Sequence, residues 1–190
     1  MADRIPMMPP KVFWDLIEAS RGPTDLDFIN QLHYQLLSLS PDEIVGFHSR
    51  LWHHLAEANR EDLWHATFPL FGYCNDHDHF RDFGCWLISR GKLAFEAALR
   101  DQDSLADFFH SERFALGDLR DSPEEAWDEL TERGCWAFDE ARKNAEKTPW
   151  PTELIPADWD VKDLDTMRER WPRLWAAADA DFAAYEERNP

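Results

Sequence analysis

The tetrad Ser40-Pro41-Asp42-Glu43 and the apolar stripe behind it constrain this chain more than any other feature. Serine caps a helix start, proline suits the first helical position, and glutamate three residues on completes a capping box. Behind it Ile44, Phe47, Leu51, Leu55 and Ala58 recur at spacings of three and four, the pattern of one helix face and not of a strand. Val45, His48 and Trp52 form an adjoining stripe, so this helix is apolar over a wide arc and belongs at the centre of a helical fold.

The same period runs through the rest of the chain. Phe13 to Ala19 reads as a short helix stopped by Gly22-Pro23, and Ile29, Leu32, Leu36 and Leu39 mark a second, started near Thr24 or Asp25. Leu63, Trp64, Thr67, Phe68 and Phe71 mark a helix that Pro69 must kink or restart. Asn75 or Asp76 caps the next, which turns Phe80, Phe83, Trp86 and Leu87 inward against Phe47, Leu51 and Trp64 and stops at Gly91. Phe95, Ala98 and Leu99 continue as a shorter segment, and Asp101 or Asp103 caps another that buries Leu105, Phe108 and Phe109. A second box, Ser122-Pro123-Glu124-Glu125, predicts the start of one long helix with Trp127, Leu130, Gly134, Ala137, Phe138 and Ala141 on its buried face. Thr148 to Asp160 alternates prolines with Trp150 and Trp159, which suits an extended strap whose rings tuck onto the globule, the alternative being exposed rings that grip a partner. Trp171-Pro172 opens a last helix with Trp175, Ala178, Phe182 and Tyr185 on one side. Together these signals predict an all-α single domain over 1–190: an irregular helical bundle with a core at 11–147, a Pro/Trp strap at 148–160 and C-terminal helices at 161–187.

Ten tryptophans and thirteen phenylalanines supply the apolar area for such a core, while 38 acidic residues against 20 basic ones leave a net charge of −18. The acidity is concentrated late: 24 of the acids and 11 of the bases lie in 101–190. A phosphate-backbone binder carries a basic stripe, and this chain has none, so nucleic acid and anionic membrane are poor partners and a basic protein, a cation or a neutral small molecule is a better one. Cys74, Cys85 and Cys135 form no Cys-x-x-Cys and no disulfide framework, which suits a reducing compartment. Met1 to Lys11 holds three prolines and no apolar core of a signal peptide, so a cytoplasmic location is expected.

Chemistry concentrates at Asp76-His77-Asp78-His79. Carboxylates and imidazoles are ligands of divalent transition metals, but consecutive helical residues point about 100° apart, so at most two of the four reach one ion. Asp76 and His79 are the better-spaced pair, with His53 and Glu57, at i and i+4, as further ligands. The competing reading is a polar helix start whose acids offset the macrodipole. His48, His53, His54 and His65 cluster near the aromatic helices, where a histidine is a base, a ligand or a filler of an aromatic layer. Ser49, Ser89 and Cys74 lie outside any recognisable nucleophile motif. A pocket between aromatic helices would draw on His48, Trp52, His53, Trp64, Asp78, His79 and Trp86.

From Trp64 to Leu105 the order of motifs resembles a bacterial family defined as a domain of unknown function, the one numbered forty-two forty. The carrying residues are Gly72, His77-Asp78-His79-Phe80, Phe83, Trp86-Leu87-Ile88, Gly91 and Asp101-Gln102-Asp103-Ser104-Leu105, with Phe13-Trp14 upstream and Trp171-Pro172-Arg173-Leu174 as the closing motif. The chain departs from the family pattern at His77, where an aspartate is usual, and at Gly84, where an arginine is usual. The resemblance implies an all-α, intracellular bacterial protein and carries no activity. Acidity, tryptophan content and the lack of a complete catalytic set favour a non-enzymatic, protein-binding or regulatory module without a cofactor. A metal-dependent protein centred on Asp76–His79 and a small-molecule pocket are the alternatives.

Overall fold

A computed structural model describes residues 4–71, 76–108, 118–160 and 162–188. Gly72, Cys74, Asn75 and Phe109, and the side chains of Phe71 and Tyr185, lie outside what it describes. The helices are α1 (Pro10–Ala19), α2 (Asp25–Leu37), α3 (Pro41–Ala58), α4 (Glu61–Phe71), α5 (His77–Ser89), α6 (Lys92–Arg100), α7 (Asp118–Thr131), α8 (Cys135–Lys143), α9 (Leu164–Arg170) and α10 (Pro172–Arg188). A 3-10 run, Gln102–Asp107, follows α6. The fold is all-α, and among the described residues the only β pairing is two isolated bridges.

Both sequence caps at the start of the chain form. Thr24 and Ser40 each accept from the N–H three residues on, and Asp27 and Glu43 reach back to complete the boxes. Behind Ser40, the stripe Ile44, Phe47, Leu51, Leu55 and Ala58 is buried throughout. Helix α3 is the spine, packed by α1, α5, α7 and α8. The N-terminal segment lies across it where Met8 N–H donates to Gly46 O at 3.0 Å. That approach needs a glycine: a Cβ on Gly46 would stand 2.7 Å from Pro6 O. Phe80, Phe83, Trp86 and Leu87 of α5 are buried as the periodicity predicts, and Phe80 packs on Trp64 with ring centroids 4.8 Å apart.

The second box behaves differently. Ser122 and Pro123 sit inside α7, and Ser122 is fully buried. The long helix expected beyond them is two helices. Glu132 (φ 53°) and Gly134 (φ 76°) take left-handed conformations between them, a turn that glycine accommodates without strain, and Asp128 accepts from Gly134 N–H. Leu130, expected on the buried face, is consequently 42% exposed, whereas Trp127 and Phe138 are buried. The segment after Arg100 is a 3-10 run and not an α-helix, with Asp101 as its cap.

The strap is held by backbone. Ile155 N–H donates to Asn59 O and Ile155 O accepts from Glu61 N–H, both at 2.9 Å, while Glu61 itself caps Ala157 N–H at 3.1 Å. Trp159 packs edge-on against the buried Trp171 at 5.2 Å. The start of α10 is capped from another element: buried Asp103 accepts from Leu174 N–H at 2.8 Å. The two motifs around 101–105 and 171–174 are therefore one joint.

Replacing Gly46 by alanine tests the spine. Alanine is a better helix former than glycine by about 1 kcal/mol, yet the displaced N-terminal segment should make Gly46→Ala destabilising by roughly 1–3 kcal/mol. Urea unfolding measures this, and a stabilised variant would contradict the close approach.

Candidate functional site

The residues expected at one pocket are distributed over three places. His48 and Trp52, one turn apart on α3, line a cleft of about 580 Å3. His53 borders it, hydrogen-bonded through Nδ1 to Thr148 of the cleft wall at 2.7 Å. Trp64 packs with His77 and Phe80 where α4 meets α5. Trp86 is buried, with its ring under the Arg90 guanidinium.

Asp78 and His79 stand at the start of α5, and their side chains are 72% and 67% exposed. Asp76 is the N-cap: its Oδ1 accepts from Asp78 N–H, His79 N–H and the His79 ring. Those bonds, the His79 N–H first, hold its carboxyl below the usual carboxylate range. Asp78 pairs with Arg81 at 2.7 Å and lies 4.0 Å from Arg120, which also pairs with Asp82 at 2.9 Å, tying α5 to α7. No hydrogen bond, ion pair or ring contact among the described residues links Asp78 or His79 to His53, His54 or His65. Asp76 and His79 therefore do not join His53 and Glu57. Instead, His53 and Glu57 meet His54, the only group of three or more ligand-type side chains clustered among the described residues.

The cleft is built from three elements. Helix α3 gives His48, Ser49 and Trp52; α8 gives Trp136, Arg142 and Lys143; the start of the strap gives Lys147, Thr148 and Trp150. Trp150 packs edge-on against Trp52 at 5.5 Å. Trp136 is 83% exposed at the rim, the most exposed large apolar side chain among the described residues. Arg142 pairs with Asp139, and Lys143 with Glu140 at 2.5 Å. Lys147 has no ion-pair partner among the described residues. In a chain of net charge −18, this cleft sets three basic side chains, Arg142, Lys143 and Lys147, against two acidic ones, Asp139 and Glu140.

His48 is fixed in one state. Its Nε2 accepts from Trp52 Nε1–H at 2.8 Å and faces Arg142 at 3.1 Å, so the ring proton sits on Nδ1. Burial, reinforced by the charges of Arg142 and Lys147 against that of Asp139, pushes its pKa down to about 3. With its lone pair taken, His48 cannot relay a proton from the neighbouring Ser49. Cys85 is also inert, because burial drives its thiol pKa up.

Sequence patterns pointed to His48 and Trp52 but not to Trp136, Arg142, Lys147 or Thr148. Trp136 did leave a trace: it lies two residues, about 200° of helix, from the buried Phe138, so a tryptophan was facing outward.

The depressed His48 pKa sets a pH signature. A neutral imidazole in the fold costs stability only once the unfolded chain takes up a proton. Its contribution is therefore complete above about pH 6.5 and is lost as pH falls toward about 3. Proton NMR should show the His48 ring unchanged from about pH 8 to about pH 5; a midpoint inside that range would contradict the Trp52 and Arg142 contacts.

No curated protein and no solved structure matches the chain. A family model described as "Protein of unknown function (DUF4240)" matches residues 8–140, a span from the N-terminal crossing of α3 to most of α8. His77 lies against Trp64 at 5.2 Å, and Gly84 faces α3 with Leu55 Cδ2 2.7 Å from the place of a Cβ. On that match, the chain belongs to the DUF4240 family.

Proposed function

We propose that this protein is a non-enzymatic binding module whose Trp52–Trp136–Trp150 cleft takes a small, planar, anionic molecule. The observation that carries the reading is Trp136, a large ring left 83% exposed on the rim of a cleft already holding two other indoles. Exposed tryptophans beside a concave surface are typical anchors of recognition. Its volume of about 580 Å3 is within the usual range for small-molecule sites. Lys147, which has no ion-pair partner among the described residues, supplies positive charge at the same place, and a ring stacked on indole with its anionic group toward it satisfies both. The state of His48, neutral and with its lone pair occupied, favours binding over proton-transfer catalysis. Among the described residues no helix is long and apolar enough to cross a membrane.

The same exposed ring is the footing for a second reading, in which a protein partner lies across α8. A small aromatic sulfonate distinguishes the two. Anilinonaphthalene sulfonate should bind with one-to-one stoichiometry, and both Trp136→Ala and Lys147→Glu should weaken it about tenfold, the effect of losing roughly 1.4 kcal/mol. Indole, the neutral aromatic, should bind more weakly than the sulfonate. Fluorescence titration reads all three, and unchanged sulfonate affinity in both variants would refute the small-molecule cleft.

A further inference from the structure

Beside the cleft, on the next face of α3, His53, His54 and Glu57 bring one ligand-type atom each to within 4.8 Å of one another. Helix geometry explains the grouping. Glu57 lies one turn beyond both histidines, at i+4 from His53 and i+3 from His54, and the carboxylate reaches back to each. His54 Nδ1 is 2.7 Å from Glu57 Oε2, and His53 Nε2 is 3.6 Å from Glu57 Oε1.

The support around these side chains has the form of a ligand shell. A metal-bound imidazole normally uses its second nitrogen to bond a neighbouring polar group, which fixes the ring. His53 does this: Nδ1 bonds the Thr148 hydroxyl at 2.7 Å, leaving Nε2 turned to Glu57. A hydroxyl can donate or accept, so the ring proton can sit on Nδ1 and be donated to Thr148 while the Nε2 lone pair faces an ion, without loss of that bond. His54 is set rigidly by the rings of Phe13, Trp14 and Phe95, whose centroids lie 4.8–5.4 Å from its own. The two exposed-side members, His53 and Glu57, are 30% and 44% exposed, so an ion has an entry path and open coordination positions. The His54 hydrogen bond, first among the causes, holds the Glu57 carboxyl below the usual carboxylate range, and burial lowers the His53 pKa.

We propose that His53, His54 and Glu57 form a binding site for a divalent transition cation of the zinc class. Two imidazoles and a carboxylate suit zinc, cobalt or nickel and not magnesium, which prefers an all-oxygen octahedron. Ligand atoms around zinc lie about 2.0–2.2 Å from the ion, so the cluster must contract on binding, through the two exposed side chains. Coordination by His54 Nδ1 moves its remaining proton to Nε2, which is buried and has no hydrogen-bond partner among the described residues. That cost sets the expected affinity at micromolar and not nanomolar. The site is distinct from the aromatic cleft, so either proposal can fail without the other.

Calorimetric titration of the full chain with zinc chloride at neutral pH tests this. One equivalent should bind, and excess magnesium should not displace it. His53→Ala and Glu57→Gln should each weaken binding at least about tenfold, while Asp76→Asn and His79→Ala should leave it unchanged. Independently of any variant, zinc should shift the ring resonances of His53 and His54 and leave those of His79 in place. Absence of binding, displacement by magnesium as for an acidic surface, or dependence on His79 in place of His53 would overturn the assignment.

Discussion

The burial of α3 on most of its circumference is the constraint from which the rest of the structure follows. Phe47, Leu51 and Ile44 are wholly removed from solvent, and the helix is in contact with α1, α5, α7 and α8. A helix so enclosed can expose polar side chains only where its cover is incomplete. That opening lies between α8 and the start of the strap, and there His48, Trp52 and His53 emerge. Both candidate sites are thus parts of one surface, the uncovered arc of the spine, and both are rigid because their first residues belong to a helix packed by four others.

The closing segments complete that surface from far away in sequence. Trp171 sinks into the core, Asp103 caps Leu174 N–H, and Trp159 packs on Trp171. These contacts fix one end of the strap, while Asn59 and Glu61 fix its middle through Ile155. Only with the strap so held does Thr148 meet His53 and Trp150 meet Trp52. The bridge between Ile5 and Ala145 has the same effect from the other side, pinning the exit of α8 to the N-terminal segment.

Local chemistry was readable where a segment decides its own conformation. The Ser40 box lies just past the end of α2 and has no competing helical residues before it, and it caps as expected. The Ser122 box has the same letters, but Leu119 upstream is fully buried and Arg120 pairs with Asp82 of α5. Tertiary packing therefore keeps the chain helical through Ser122, and Pro123 is tolerated inside α7. The Asp76–His79 run was legible as a helix start and is one. As a meeting place for ligands it was not, because a linear motif carries no information about which helix its side chains will face. The cleft failed to show in the sequence for the same reason: Trp52, Arg142 and Trp150 are brought together by the turn at Gly134 and by the strap, neither of which has a periodic signature.

The central claim is that the uncovered arc of α3, walled by α8 and the strap, is the binding surface of this protein. Indole N–H resonances report on it directly, since the tryptophans are spread between cleft and core. During titration with anilinonaphthalene sulfonate, the Trp52, Trp136 and Trp150 indole signals should move together and saturate at one equivalent, with those of the buried Trp86, Trp127 and Trp171 unmoved. Movement of the buried indoles, or no movement at Trp136 and Trp150, would contradict the account.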